Sequence, residues 1–189
     1  MDPIETAVQG IKNGDIVFFE VIIVNFQQQL FRYCYHMLGN IHEAEDAVQE
    51  SFIKAYENIK NYSSSVSFQA WLYKITYNHC INIIRRKRLV QFLPFLEETS
   101  IGSSDLETRL EENEFSEALC NGLKKLPPQD RTILILRTIE GKSFKELGVI
   151  LNMKPATIRK KYERSKNKLR KFLKQKEGGN ESEVFTVNR

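Results

Sequence analysis

Leu126-Pro127-Pro128, then Glu140-Gly141-Lys142-Ser143-Phe144-Lys145-Glu146-Leu147, then Asn152-Met153-Lys154-Pro155-Ala156-Thr157-Ile158-Arg159 is the stretch that decides the fold. Each part marks a helix boundary in residue type. Leu126-Pro127-Pro128 ends one helix and presets the first turn of the next, where the missing N–H of proline is tolerated. Ile133, Leu134, Leu136 and Ile139 carry that helix to the turn at Glu140-Gly141. Ser143 and Glu146 form a Ser-x-x-Glu capping box opening a short helix whose Leu147, Ile150 and Leu151 face inward. A break at Asn152-Met153-Lys154 leads to Pro155 and a long basic helix. A helix, a tight turn and a basic helix make a helix-turn-helix, which places its last helix in the major groove of duplex DNA.

The faces of that last helix follow from the helical repeat of about 100° per residue. Ile158, Tyr162, Ser165, Leu169 and Leu173 cluster on one side, the packed one, while Ala156, Lys160, Glu163, Arg164, Asn167 and Lys171 point away. Arg159 and Lys161 lie on the flanks. Arg and Lys pair with guanine edges and Glu accepts from cytosine N4, so Lys160, Glu163 and Arg164 are suited to reading bases. Lys166, Lys168, Arg170 and Lys171 are placed to neutralise phosphates, which adds affinity without sequence information. From Lys154 to Lys176 eleven Lys or Arg face one acid, Glu163, a charge of about +10. A helix that is merely solvated mixes its signs.

Working outward, the apolar period stays helical and no alternating strand appears. Ala44, Ala47, Val48, Ser51, Phe52, Ala55, Tyr56 and Ile59 recur at three and four residues, with Glu43, Glu45, Asp46, Gln49, Glu50 and Lys54 on the opposite face. Phe18, Phe19, Ile22, Ile23, Phe26, Leu30, Tyr33, Cys34 and Met37 form an earlier helix that stops at Gly39-Asn40. A third spans about Ser67 to Arg88 after the loop Asn61-Tyr62-Ser63-Ser64-Ser65. Residues 91–113 contain Pro94, Gly102 and a Ser-Ser pair and lack a helical period. The eight acids and one Arg from Glu97 to Glu117 give about −7. The expectation is an all-α fold: a helical domain over 5–90, a flexible acidic linker over 91–113, a four-helix helix-turn-helix domain over 114–174 and a frayed tail over 175–189.

The remaining composition narrows the classes. The net charge of +4 is mild; its polarisation along the chain is what points to nucleic acid. Met1-Asp2-Pro3-Ile4-Glu5 is acidic and has no signal-peptide character, and the apolar run Ile16 to Val24 is too short to span a bilayer. A cytoplasmic chain without membrane insertion is therefore expected. Cys34, Cys80 and Cys120 are far apart in apolar or helical settings, as reduced, packed thiols are. His36, His42 and His79 share no metal-ligand spacing, so no metal site is expected; nor does any phosphate loop or nucleophile–base pair announce a catalytic site, a cofactor or a small-molecule substrate.

Between Tyr62 and Asn82 lie Phe68, Trp71, Tyr73, Tyr77 and His79 with the amides Asn78 and Asn82, followed by Arg85-Arg86-Lys87-Arg88. Aromatic faces, amides and charges in this order suit a single strand of DNA, through stacked bases, base edges and phosphates. Phe68 and Leu72 read as helix core; Tyr77, Asn78 and the basic run read as functional. Here a family resemblance carries further. Leu38-Gly39-Asn40-Ile41-His42-Glu43-Ala44-Glu45-Asp46-Ala47-Val48-Gln49-Glu50-Ser51-Phe52-Ile53-Lys54-Ala55-Tyr56, with Phe68-Gln69-Ala70-Trp71-Leu72-Tyr73-Lys74-Ile75 and Asn78, resembles the first conserved domain of the extracytoplasmic-function (ECF) sigma factors of bacterial RNA polymerase. Leu126-Pro127 with Arg131, Gly141-Lys142-Ser143-Phe144-Lys145-Glu146-Leu147-Gly148 and Thr157-Ile158-Arg159 resemble the second.

That resemblance implies roles. Glu43, Glu45, Asp46, Gln49 and Glu50 would dock on the clamp helices of the polymerase largest subunit. The helix from Trp71 to Arg88 and the loop before it would open and hold the minus-ten strand, through Tyr62, Ser63, Ser64, Trp71, Tyr77, Asn78, Arg85, Arg86, Lys87 and Arg88. Thr157, Arg159, Lys160, Glu163, Arg164 and Asn167 would read the minus-thirty-five element. The family also implies an anti-sigma protein, often membrane-bound, that masks both domains. The chain departs from the family where Asn82 replaces an acid and where Lys154-Pro155-Ala156 replaces proline followed by glycine. Two rivals stand beside this reading. A repressor or activator with a helix-turn-helix explains residues 114–174 but leaves the first domain without a role, and an enzyme lacks a reactive constellation.

Overall fold

The computed structural model describes residues 2–91 and 117–176. Eight α-helices follow in order among the described residues: α1 Pro3–Lys12, α2 Phe18–Leu38, α3 Ile41–Asn58, α4 Phe68–Gln91, α5 Glu117–Lys124, α6 Pro128–Thr138, α7 Phe144–Leu151 and α8 Pro155–Lys176. No strand occurs among them. The expected linker over 91–113 lies outside the described residues except for Gln91, the end of α4, and the expected tail lies outside them beyond residue 176.

The boundaries have local causes. Gly39 sits in the left-handed region at φ 72° and its N–H bonds back to the Tyr35 carbonyl, ending α2. The next residue, Asn40, caps α3 by accepting from the Glu43 N–H at 3.0 Å. Ser143 and Glu146 close the expected capping box: the Ser143 N–H donates to Glu146 Oε2 at 2.7 Å, and the Glu146 N–H donates to Ser143 Oγ at 3.2 Å. Asn152, at φ 52°, ends α7. A Cβ at Gly148 would meet the Met153 carbonyl at 2.9 Å, so the tight turn between α7 and α8 requires the glycine.

In the first four helices, the apolar stripe of α2 buries Ile22, Leu30, Tyr33 and Met37 against α3 and α4. Ala44, Ala47 and Ala55 let α3 approach closely, and Phe52 meets Phe19 edge-on at 6.2 Å. Of the stripe read in α3, Tyr56 is the outlier. Its ring packs edge-on to Phe19 at 5.3 Å yet remains 41% exposed. The last four helices close around Leu126, Ile133, Leu136, Leu147, Ile150 and Ile158. Each such side chain contributes about 1.5–3 kcal/mol on burial.

The two halves are not held apart, as an extended linker alone would suggest. They share one core, with α2 against α5 and α6 and α4 against α6 and α7. The apolar faces of α2 and α4 are wider than the first half can cover, and the excess is closed by the second. The Tyr33 hydroxyl lies 3.1 Å from Thr132 Oγ1, with both residues fully buried. Arg131 is buried and donates to the Leu123 carbonyl at 2.9 Å, the Lys124 carbonyl at 2.9 Å and, across the halves, the Met37 carbonyl. Arg32 Nε pairs with Glu140 Oε1 at 3.2 Å, and Lys142 Nζ lies 5.5 Å from the centre of the Tyr73 ring.

One titration follows from this packing. Burial, then the Arg32 charge, push His36 down to about 4 from its ordinary 6.5. A depressed folded pKa means the unfolded chain binds the proton more readily. Its stabilisation is full above about 6.5 and is lost as pH falls through about 4. Urea unfolding between those values should show stability falling with acidification, by at most about 3 kcal/mol from this group, and His36→Gln should flatten that slope.

Candidate nucleic-acid interface

The basic helix α8 presents what its periodicity requires. Ile158, Ser165, Leu169 and Leu173 are buried, and Tyr162 is half-buried against Phe144. Thr157, Arg159, Lys160, Glu163, Arg164 and Asn167 are all exposed, so the structure brings the whole expected reading set onto one open surface. Lys161, on the flank, is tied to Asp130 of α6 at 3.2 Å. Phe144, which carried no role in the sequence beyond following the cap, is a pedestal. The Arg137 guanidinium lies 4.9 Å and the Arg159 guanidinium 5.3 Å from its ring centre. Cation–π contact holds both cations in place, and Arg137 also donates to the Lys142 carbonyl at 3.0 Å. The signal for this was Phe144 at the first turn of α7, one helix away from Arg159.

On α4, Asn78 and the run Arg85, Arg86, Lys87 and Arg88 are exposed, as are Ser63 and Ser64 in the preceding loop. Trp71 is half-buried on Phe68 and Tyr62, with ring centres 5.4 Å away in each case. Two expected residues sit differently. Tyr62 is only 3% exposed, with its single hydroxyl proton shared between Glu5 Oε1 at 3.0 Å and the Val66 carbonyl at 2.9 Å. Its ring meets Phe68 edge-on, so it builds the wall behind Trp71 and offers no open face to a base. Tyr77 is half-buried and turned toward Gln129 of α6. Phe68 is core, as its position suggested.

The acidic helix α3 exposes Glu45, Asp46 and Gln49, with Glu43 and Glu50 half-buried. Glu43 is ion-paired to Lys87 of α4, joining a residue expected to face polymerase to one expected to face DNA. Glu50 pairs with Lys54 at 2.9 Å, whose ammonium lies 3.0 Å from His79 Nδ1; the Lys54 hydrogen bond and charge hold the Glu50 carboxyl below its ordinary range. Asp46, Gln49, Glu50, Asn82 and Arg86 rim an open groove of about 510 Å³ between α3 and α4, with the half-exposed Ile53 beside them. Among the described residues no group of His, Cys, Asp and Glu is placed to hold a metal, and no helix is long and apolar enough to cross a membrane.

Comparison with known proteins decides the class of this architecture. Residues 22–90 match the Sigma-70 region 2 family and residues 117–169 match Sigma-70, region 4. The ECF RNA polymerase sigma factor SigW of Bacillus subtilis is 33% identical, over 90% of this chain and 97% of its own length. The chain belongs to the ECF RNA polymerase sigma factors. As an ECF sigma factor it directs promoter recognition and transcription initiation. Two solved structures share the fold. CnrH in complex with the cytosolic domain of CnrY has a TM-score of 0.69 at 19% identity, covering 92% of this chain and 99% of that one. The sigma factor RpoE in complex with the anti-sigma factor NepR from Bartonella quintana has 0.68 at 22%, covering 82% and 96%.

The pedestal is open to test within this ECF factor. Phe144→Leu keeps an apolar side chain but removes the ring, which should forfeit about 1 kcal/mol of cation–π attraction and loosen the Arg159 side chain. NMR order parameters of the Arg159 guanidinium N–H should drop in Phe144→Leu and persist in Phe144→Tyr.

Proposed function

We propose that the chain works as the promoter-reading subunit of a bacterial RNA polymerase holoenzyme, with three surfaces in separate roles. Glu45, Asp46, Gln49 and Glu50 on α3, with Glu43 at their edge, dock on the clamp helices of the polymerase largest subunit. Asn78, Trp71, Ser63 and Ser64, with Arg85, Arg86, Lys87 and Arg88, hold the opened minus-ten strand, while Tyr62 shapes the floor and Tyr77 the flank. Thr157, Arg159, Lys160, Glu163, Arg164 and Asn167 read the minus-thirty-five duplex. The observation that carries this reading is the pairing of two separated surfaces. One is an aromatic, amide and basic face on α4, suited to a single strand, and the other is the open basic face of α8, suited to a major groove. A repressor needs only the second.

The mechanism is recognition without covalent chemistry. The α4 surface offsets the few kcal/mol of unstacking that an extruded base costs, through the half-exposed Trp71 face and the exposed Asn78 amide. The cations of α8 supply salt-dependent affinity, and Lys160, Glu163 and Arg164 supply the discrimination. The chain thus acts as an initiation factor in the cytoplasm, with no catalytic centre of its own, no cofactor and no small-molecule substrate. An anti-sigma protein is its natural antagonist. The two solved fold relatives, CnrH with CnrY and RpoE with NepR, were each captured in such company or with a partner domain, which supports this reading.

The test is association with purified bacterial core polymerase by gel filtration, followed by promoter DNA binding of the complex and of the chain alone. Co-elution and promoter binding that needs core support the proposal; tight duplex binding by the chain alone, without core association, favours a repressor. Lys160→Ala and Arg164→Ala should each weaken promoter binding of the complex by roughly 1–3 kcal/mol per lost base contact. Unchanged promoter binding in both variants would show that α8 reads DNA through another face.

A further inference from the structure

Helix α1 lies ahead of the stretch 22–90 that matches Sigma-70 region 2, yet it reaches the loop before α4. It is packed on α2 through a stripe in which Ala7, Val8 and Ile11 are buried. Glu5 and Lys12 stand seven residues apart on α1, two turns along one face and about 10 Å along the axis. Both side chains converge on one distant residue. The Lys12 ammonium donates to the Tyr62 carbonyl at 2.6 Å and sits 5.4 Å from the Tyr62 ring centre. Glu5 Oε1 lies 3.0 Å from the Tyr62 hydroxyl, at the far end of the same residue. α1 thus grips Tyr62 at its backbone and at its tip.

What Tyr62 holds in turn is the loop. Its hydroxyl also reaches the Val66 carbonyl at 2.9 Å, so the tyrosine closes a hoop over the four residues that follow it. Inside the hoop the Val66 N–H donates to the Ser63 carbonyl at 3.4 Å, and the Ser65 N–H to Ser63 Oγ at 3.4 Å. Bonds of that length on an exposed rim are weak, and Ser63, Ser64 and Ser65 have no apolar surface to bury. The hoop therefore takes its order from its ends. At one end is the clamped Tyr62, whose ring also backs Trp71 at 5.4 Å. At the other, Ser67 Oγ accepts from the Ala70 N–H at 3.2 Å and caps α4. A loop ordered before the strand arrives spares the binding step that loss of entropy. Charged partners suit the task, because charge-assisted hydrogen bonds are the stronger ones.

We propose that Glu5 and Lys12 are positioning residues for minus-ten reading: through Tyr62 they hold the hoop over 63–66 and the Trp71 ring in the pose that takes the opened strand. This role rests on the minus-ten surface assigned under the proposed function. Neither residue touches DNA; each acts through Tyr62.

The test uses the full chain and, for DNA, holoenzyme assembled on purified core polymerase. The probe is a fluorescein-labelled single strand, the non-template minus-ten segment of a promoter that the holoenzyme transcribes. Lys12→Met, Glu5→Leu and Tyr62→Phe should each weaken its binding roughly 3–10-fold, while affinity for core stays at the wild-type value. Lys12→Arg and Glu5→Gln, which keep a donor and an acceptor, should bind the strand as the wild type does. Glu5→Leu combined with Tyr62→Phe should lose no more than Tyr62→Phe alone, because both break one chain of bonds. Trp71 is the one tryptophan of the chain. In the free protein its quenching by acrylamide should rise in Lys12→Met and stay low in Lys12→Arg. Wild-type strand binding in Lys12→Met and Glu5→Leu would overturn the positioning role. So would losses that Lys12→Arg and Glu5→Gln share, or that core affinity follows. Trp71→Ala and Asn78→Ala separate the two claims. If they too leave strand binding unchanged, the minus-ten assignment itself fails, whereas a loss confined to them removes the role of α1 alone.

Discussion

A guanidinium buried without a carboxylate beside it organises this molecule. Arg131 is 5% exposed, and its hydrogen bonds run to carbonyls: Leu123 and Lys124 at the end of α5, Leu126 just beyond, and Met37 at the end of α2. Helix C-termini leave carbonyls unsatisfied and carry partial negative charge, so one planar cation can satisfy several of them and be stabilised in return. Burial lowers the pKa of the guanidinium, with Arg88 adding to the effect, yet an arginine keeps its charge at any pH the fold survives. A lysine could not supply the fan of donors. With α5 fixed on α6 in this way, α6 presents Thr132 to Tyr33 and Asp130 to Lys161, so the same element fastens the first half and steadies the reading helix.

The two nucleic-acid surfaces are built on different economies of order. α8 is held from beneath by Ile158, Ser165, Leu169 and Leu173, and its cations project from a rigid cylinder, as a major-groove reader requires. Arg159 is further confined by the Phe144 ring. At the start of α4 three aromatic rings, Tyr62, Phe68 and Trp71, meet one another within 5.4 Å. That layer explains how a half-buried tryptophan can be kept in a fixed pose beside the loop of Ser63 and Ser64.

Much of this was legible in the chain because its cause is local. The capping box at Ser143, the stop at Gly39 and the sidedness of α8 each depend on residues within a few positions of one another, and periodicity reads them directly. What escaped the sequence depends on residues far apart. The family resemblance implied a minus-ten contact for Tyr62; its bonds to Glu5 and Val66, residues distant in sequence or across the loop, are what make it a wall. The ion pair between Lys87 and Glu43, residues each expected to meet an outside partner, was likewise hidden, because it exists only where α4 lies beside α3. The closure of the halves was hidden for the same reason. The stripe of α2 that includes Tyr33 and Met37 has the period of any buried face, and period does not say which half of the chain will cover it.

Mapping the 5′ ends of transcripts made from genomic DNA by bacterial core polymerase, with and without this chain, tests the central claim most directly. Promoter reading by two surfaces requires new, discrete start sites that appear only with the chain and share two upstream elements at a fixed spacing. Start sites unchanged from core alone, or new ones lacking a common pair of elements, would contradict it.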